Sequence, residues 1–382
     1  MTFDEGLLDE PAQLEQRDRT RLLWSLATAG AQVRRAIETA GDFGVERLRG
    51  GELPRAMLVV TDAPPSAASR LITRLSVDRT PALTWHGVEL PRWAGPADAL
   101  LVGSVDGRHP RLAQLAAQGA QRGLTMAVVA PAGSQVAAAA AGRAPLHELP
   151  RDLHPRAARW SVLAPLLQAL DALGVHRVPP SLLVEIADAL DEQAELNRPN
   201  GEAFTSPAKA LAVEFAESTP LVAGAGVLAG VAARAMSDGL QHFAGAGSVS
   251  VSLPDGVGRA AALLRGSDAP PAEDDFFRDR VEDVGPARPR LLVVGDDGSP
   301  DDPLLGDRSD AEIQLDEMAA RRAAAALLDL ASGLGLRSSS VDVPAGDPLA
   351  RFAAATAFGD FTASYLALGL GVDPGLDRST DA

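Results

Sequence analysis

The stretch SVDGRHP at positions 104–110 brings several kinds of polar side chain into one short loop. It follows the apolar run ALLVG, which predicts a strand, and it precedes a helical pattern, RLAQLAAQGAQRG. Loops that hold a phosphate at such a junction are usually rich in Ser, Thr and Gly, whereas this one carries Asp106, Arg108 and His109. Two interpretations stay open: Arg108 and His109 pair with Asp106 or with a ligand, or all three lie in a solvated loop.

The rest of the sequence holds no motif of metal or cofactor chemistry. Its six histidines form no His-x-x-x-His or mixed His/carboxylate spacing. They are His86, His109, His147, His154, His176 and His242. There is no G-x-S-x-G elbow, P-loop or G-x-G-x-x-G after a strand. The glycines of VAGAGVLAGVAARA, at 222–235, either present backbone amides to an anion or allow close packing of a helix on a strand. We expect neither a metal nor a cofactor.

The composition indicates a globular protein with an acidic surface. The chain has 382 residues, a formal net charge of −16 and no cysteine. This charge repels nucleic acid phosphates and anionic membrane surfaces, so we expect neither as a partner. The absence of cysteine excludes disulfides and thiolate chemistry. Because the acidic N-terminus lacks the order of a signal peptide, we expect a cytoplasmic protein.

Short apolar strands alternate with helical patterns in both halves of the chain, which look like two copies of one plan. The alternation predicts an α/β fold in which each parallel sheet is flanked by helices, an αβα sandwich. The predicted organisation is an N-terminal helical lead-in at 1–48, a first domain at 49–178, a helical bridge and linker at 179–205, and a second domain at 206–382.

Three stretches resemble one family in order and spacing. HPRAARWSVLAPLLQALDALGV, SPAKALAVEFAESTPLVAGAG and GDFTASYLALGLGVDPG occupy 154–175, 206–226 and 359–375. They are similar to the Pro-Arg-Ala-Ala segment, the Asn-Pro-Ala-Lys helix and the closing Gly-Val-Asp-Pro turn of the bifunctional phosphoglucose/phosphomannose isomerase family. Members of this family contain two sugar-isomerase (SIS) domains.

The resemblance implies a homodimer that binds a sugar phosphate in a cleft and interconverts its aldose and ketose forms by proton transfer through a carboxylate. Asp238 lies at the position of the family's catalytic glutamate. The substrate-binding positions that carry over are Ser66, Ser104, Asp106, His109, Arg156 and Arg234.

Several family residues are replaced here. Pro64 and Pro65 stand where the first phosphate loop has glycines, and proline has no N–H to donate to a phosphate. Asp106 adds a negative charge that, at ~5 Å and an effective dielectric of about 20, repels a unit charge by roughly 3 kcal/mol. Asp255 stands where the family has a histidine, and the lysine beyond the closing turn has no counterpart.

Two functions therefore stay open. The first is a divergent sugar-phosphate isomerase whose general base is Asp238, one methylene shorter than glutamate. The second is a non-catalytic SIS-domain sensor or scaffold in which Asp238 lies on a helix surface. Arg156 likewise either contacts a ligand or braces the domain through a carboxylate.

Overall fold

Four short helices begin the computed structural model, which describes residues 2–62, 67–77, 79–266, 288–295, 310–341 and 346–376. They are α1 (Pro11–Arg17), α2 (Leu22–Ala27), α3 (Ala29–Glu38) and α4 (Ala40–Phe43), with 3₁₀ turns at Gly6–Asp9 and Val45–Leu48. The predicted N-terminal helical segment is thus divided, and its apolar residues belong to the core of the whole chain.

The first sheet has five strands and is parallel throughout, in the order β2-β1-β3-β4-β5. Its strands are β1 (Met57–Thr61), β2 (Ala82–Thr84), β3 (Ala99–Gly103), β4 (Thr125–Pro131) and β5 (Leu146–Leu149). Its helices are α5 (Ala67–Ser76), α6 (Pro110–Arg122), α7 (Gln135–Ala140) and α8 (Arg159–Ala172). Every residue of β1 and β3 is buried, as expected for apolar strands covered on both faces.

The second sheet has four described strands, again parallel, in the order β7-β6-β8-β9. The strands are β6 (Ser218–Ala225), β7 (Val249–Leu253), β8 (Arg288–Val294) and β9 (Ser338–Val341). The helices are α9 (Pro180–Leu196), α10 (Pro207–Ala216), α11 (Val227–Gly239), α12 (Val257–Gly266), α13 (Asp310–Gly333) and α14 (Pro348–Gly369). A π-helical turn at Leu240–Ala244 continues α11.

Helix α14 lies at the centre of the molecule, and all of its residues are buried. Apart from Arg351 and Asp360, its sequence is mainly apolar or small on every side, which is the pattern of a helix without a solvent face. It contacts α9, α10 and α11. One continuous core includes Val59 of the first sheet, Val222 of the second and Leu366 of α14, so the two halves share their packing.

Local signals account for several boundaries. The Ser206 side chain accepts a hydrogen bond from the Lys209 amide and caps α10, which begins at Pro207. The stretch TPALTWHGVEL, at 80–90, forms a strand of only three residues, because the chain turns after it and the Trp85 indole donates to the Glu89 carbonyl at 2.8 Å. Strand β5 was not predicted.

Candidate functional site

After the neighbouring strands β1 and β3, the chain continues in opposite directions across the first sheet. The order β2-β1-β3-β4 means that the chain leaving β1 returns at β2, whereas the chain leaving β3 returns at β4. Such a switch point leaves a crevice at the carboxyl edge, where α/β proteins bind ligands. Thr61 pairs with Gly103 in the register, so Asp62 and Ser104 come next to each other just beyond the strands.

Asp62 accepts hydrogen bonds from the loop that follows β3. The Ser104 hydroxyl donates to one carboxylate oxygen at 2.9 Å, and the Val105 amide donates to the other at 2.5 Å. The Gly107 amide in turn donates to the Ser104 hydroxyl at 3.0 Å. Gly107 has a φ of 65°, and a Cβ there would lie 2.3 Å from that of Ser134, so both backbone and space require glycine. The loop is closed around the Asp62 carboxylate.

Burial raises the pKa of the Asp62 carboxyl, and the nearby Asp106 charge acts in the same direction. The hydrogen bonds from Val105 and Ser104 and the neighbouring His109 oppose this shift, but burial prevails. The site therefore holds a partly desolvated carboxylate where the resemblance implies a phosphate.

The other predicted residues of this loop lie around that carboxylate. Asp106 is exposed and accepts a hydrogen bond from the Arg108 amide at 2.9 Å, which forms a local turn. His109 precedes α6, and its Nδ1 is buried with no hydrogen-bond partner among the described residues. Ser66, together with Pro64 and Pro65, lies outside the described residues. Ser104, Asp106 and His109 are thus brought together, and their substrate-binding role stays a prediction.

Asp238 is held by two arginines. The Arg70 guanidinium, from the first half of the chain, donates to its Oδ2, and Arg234 Nε donates to its Oδ1 at 2.9 Å. Arg70 lies in the first turn of α5, the helix that follows the β1 loop, whereas Asp238 and Arg234 lie one turn apart on α11. Burial lowers the pKa of Arg70, while Asp238 acts in the opposite direction. The predicted base is therefore part of an ion-pair cluster between the two halves.

Arg156 lies close to this cluster and braces the chain. Its Nη1 donates to the carbonyl oxygens of His242 at 2.7 Å and Pro374 at 2.5 Å. The His242 ring is in turn 2.8 Å from the carbonyl oxygen of Asp238. These contacts brace the chain through backbone carbonyls, and the carboxylate partner of the bracing interpretation stays a prediction. A contact between Arg156 and a ligand stays a prediction.

The glycines of residues 222–235 are explained by close packing. A Cβ at Gly224 would lie 2.2 Å from the Ala229 carbonyl oxygen, and one at Gly230 would lie 2.6 Å from the Ser252 hydroxyl. Helix α11 thus approaches β6 and β7 at distances that exclude any side chain at these positions. Of the two interpretations of this stretch, packing is the one that the contacts support.

The described residues also contain an open groove of about 350 Å³. It is mainly apolar and is lined by residues such as Leu196, Leu211, Ser339 and Phe358. None of the predicted site residues lines it. In the same described ranges, no group of three or more His, Asp or Glu side chains is placed to hold a metal ion, and no helix is long and apolar enough to cross a membrane.

Two residues of this region were missed from the sequence. Asp62 directly follows a buried strand, and a polar side chain at the carboxyl end of such a strand is the signal that points to it. Arg70 carried no signal, because its partner Asp238 is 168 positions away.

The fold is shared with solved proteins of low sequence identity. The C-terminal domain of glucosamine-fructose-6-phosphate aminotransferase from Francisella tularensis has a TM-score of 0.59 at 8% identity, covering 92% of this chain and 96% of that one. Tagatose-6-phosphate ketose/aldose isomerase from Escherichia coli has a TM-score of 0.56 at 13% identity, with coverages of 96% and 95%. A glucose-6-phosphate isomerase like protein from Thermus thermophilus has a TM-score of 0.53 at 17% identity, with coverages of 98% and 95%.

These likenesses cover nearly the whole chain but establish the fold alone. They confirm the predicted α/β fold, with two parallel sheets flanked by helices. No family model matches the sequence, and no curated protein matches it.

Proposed function

We propose that this chain binds a sugar derivative at the carboxyl edge of β1 and β3 and does not isomerise it. The observation that carries the proposal is the ion pair between Arg70 and Asp238, which draws the second half of the chain to the helix that follows the β1 loop. The first half supplies the hydrogen-bonding side chains of Asp62 and Ser104. The ion-pair cluster around Asp238 is joined to the helix that follows β1, and we place both in one binding region. The names of the similar solved proteins support a sugar derivative as the ligand class.

The pairing of Asp238 favours binding over catalysis. A general base must present a carboxylate oxygen to the proton that it removes. Both Asp238 oxygens accept hydrogen bonds from guanidinium groups, so proton transfer would require one of these contacts to break. This favours the sensor or scaffold function among the two predicted from the sequence.

A thermal-shift panel tests the binding function. Glucose, mannose and their 6-phosphates are added to the full-length chain, and a ligand of the native state raises the melting temperature. At a hundredfold excess over Kd the stabilisation is about 2.7 kcal/mol, which is readily measured. Failure of every sugar derivative in a broad panel to raise the melting temperature would contradict the proposal.

Isomerisation is the second candidate, and the observation that favours it is a carboxylate, Asp238, at the position of the catalytic glutamate of the resembled family. NMR of a bound sugar phosphate in deuterium oxide separates the two functions, because isomerisation brings deuterium to C2. We expect no exchange in the wild type. Exchange that is lost in Asp238→Asn would establish the isomerase and contradict a purely binding role.

We further propose that the protein is cytoplasmic, as its composition and N-terminal sequence predict, and that it is a homodimer, as the family resemblance implies. Sedimentation equilibrium at micromolar concentration tests the assembly, and a monomer under these conditions would contradict it.

A further inference from the structure

At the switch point of the first sheet, the hydrogen-bond donors of the loop after β3 point to the carboxylate of Asp62, which is a negative charge of the chain itself. Both oxygens of Asp62 accept hydrogen bonds, one from the Ser104 hydroxyl at 2.9 Å and one from the Val105 amide at 2.5 Å. An amide and a hydroxyl at the end of a strand are the groups that would otherwise bind a ligand anion. Here they are already engaged.

The positive groups nearby offset the Asp62 charge only in part: His109 opposes the rise of the Asp62 pKa, and the Arg111 guanidinium donates to the carbonyl oxygens of Thr61 and Trp85. Asp62 forms no ion pair with a described Arg or Lys, and Asp106 contributes a second negative charge at the rim of the same loop. The Gly107 amide, a further donor of this loop, is bonded to the Ser104 hydroxyl. A phosphate dianion would therefore meet a carboxylate where it needs donors.

We infer that Asp62 is a specificity-determining residue: it fills the anion position of this edge, so that the ligand presents a hydroxyl group, and not a phosphate, to Asp62 and the loop after β3. The inference rests on the proposed function and names its ligand class as a sugar that is unphosphorylated at the end facing Asp62. A carboxylate accepts hydrogen bonds from sugar hydroxyls, which makes the same residue favourable to one ligand and unfavourable to the other.

The expected penalty for phosphate is large enough to measure. Two unit charges ~5 Å apart at an effective dielectric of about 20 repel each other by an energy that corresponds to roughly a hundredfold in affinity. Screening by salt reduces this factor, so we expect a tenfold to hundredfold effect at moderate ionic strength.

The wild-type protein provides the first test, which needs no variant. Glucose and glucose 6-phosphate, and mannose and mannose 6-phosphate, differ within each pair only by the phosphate and are titrated by calorimetry. We expect the phosphate to add no affinity. A sugar phosphate that binds tenfold or more tightly than its parent sugar would overturn the inference while supporting the proposed function.

The second test removes the charge at Asp62. In Asp62→Asn, or Asp62→Ser if the first variant does not fold, we expect the affinity for glucose 6-phosphate and for inorganic phosphate to rise tenfold to hundredfold. Asp152→Asn is the matched control, because Asp152 is exposed just beyond β5 at the same edge of the sheet, and we expect less than a threefold change.

The arms of this experiment keep the two proposals apart. Inorganic phosphate binds without any recognition of a sugar. If an Asp62 variant bound phosphate more tightly but bound no sugar, the role of Asp62 would be supported and the proposed function would be contradicted. A folded Asp62 variant with no gain for either phosphate would overturn the inference. Asp106→Ser is measured in the same way. If the affinity for phosphate rose only in this variant, the charge effect would belong to Asp106 and the inference about Asp62 would be overturned as well.

Discussion

The guanidinium of Arg70 in α5 donates to a carboxylate oxygen of Asp238 in α11, and this contact joins the first half of the chain to the second. The two side chains are 23% and 19% exposed, so the ion pair is shielded from water more than a typical surface pair. Shielding strengthens the attraction and also raises the cost of leaving one partner alone.

We expect a double-mutant cycle of Arg70→Gln and Asp238→Asn to give a coupling energy of about 1–2 kcal/mol in the free energy of unfolding. The cycle is needed because Asp238 also pairs with Arg234, and only the coupling isolates Arg70. Urea unfolding of the four proteins provides the measurement.

The matched control is Arg34 with Asp188, an ion pair whose side chains are 41% and 65% exposed. Its coupling should not exceed about 0.5 kcal/mol. Equal coupling in both pairs would mean that the contact between the halves contributes no more than a surface ion pair.

His147 makes stability depend on pH. Burial, with a smaller contribution from the Arg35 charge, lowers its pKa from 6.5 to about 4, and its ring lies edge-on to Phe43 at 5.5 Å. The unfolded chain therefore binds a proton between pH 6.5 and 4 that the folded chain does not bind. As the pH falls through this window, the free energy of unfolding should decrease by about 3 kcal/mol through this residue.

His147→Phe removes the titration and retains an aromatic ring. Because other groups also titrate, the measured quantity is the difference in pH dependence between wild type and variant in urea unfolding at several pH values. Identical slopes from pH 6.5 to 4 would show that His147 titrates as it does in the unfolded chain.

Lys209 is the only lysine among 35 basic residues, and its ammonium group is fully buried. Nζ donates to the carbonyl oxygens of Leu8 at 2.6 Å, Pro199 at 2.8 Å and Gly201 at 2.6 Å. Lys209→Met keeps the side-chain length but leaves these carbonyls without their donor. We expect a loss of about 3 kcal/mol or more in the free energy of unfolding.

Ser206→Ala is a useful comparison for Lys209, because it removes only the cap of the same helix and should cost about 1 kcal/mol. Lys209 should also resist amine acylation in the native protein, as mass spectrometry can measure. Equal costs for both variants, or rapid acylation of Lys209, would contradict its role as a buried tie between the N-terminal segment and the linker.

Gly224→Ala should destabilise the second sheet by several kcal/mol, because its Cβ would lie 2.2 Å from the Ala229 carbonyl oxygen and force backbone apart. Gly258→Ala, in α12, meets no atom within 4 Å and should be neutral or stabilising by up to about 1 kcal/mol. Thermal unfolding of both variants distinguishes close packing from backbone flexibility as the reason for glycine. A small loss of stability in Gly224→Ala would show that α11 can move away from β6 at little cost.

The sequence by itself determined the elements whose signals are local. The apolar runs of β1, β3 and β4, the cap at Ser206 and the apolar sides of α14 are properties of contiguous residues, and the structure bears them out. Strand β5 was not predicted because it has only four residues, too few to show a clear pattern of hydrophobic residues, and one of them is the exposed Glu148. Its pairing with β4 makes it a strand.

Only the tertiary structure decided what the polar residues contact. Asp62 reaches Ser104 because the parallel register sets the ends of β1 and β3 side by side. Asp238 reaches Arg70 because α11 packs directly against α5. The carboxylate that the sequence placed at the phosphate position was Asp106, whereas the one that accepts from the Ser104 hydroxyl and the Val105 amide is Asp62. Residue type and local pattern predict where a strand ends, but the direction of a side chain depends on neighbours that are distant in the chain.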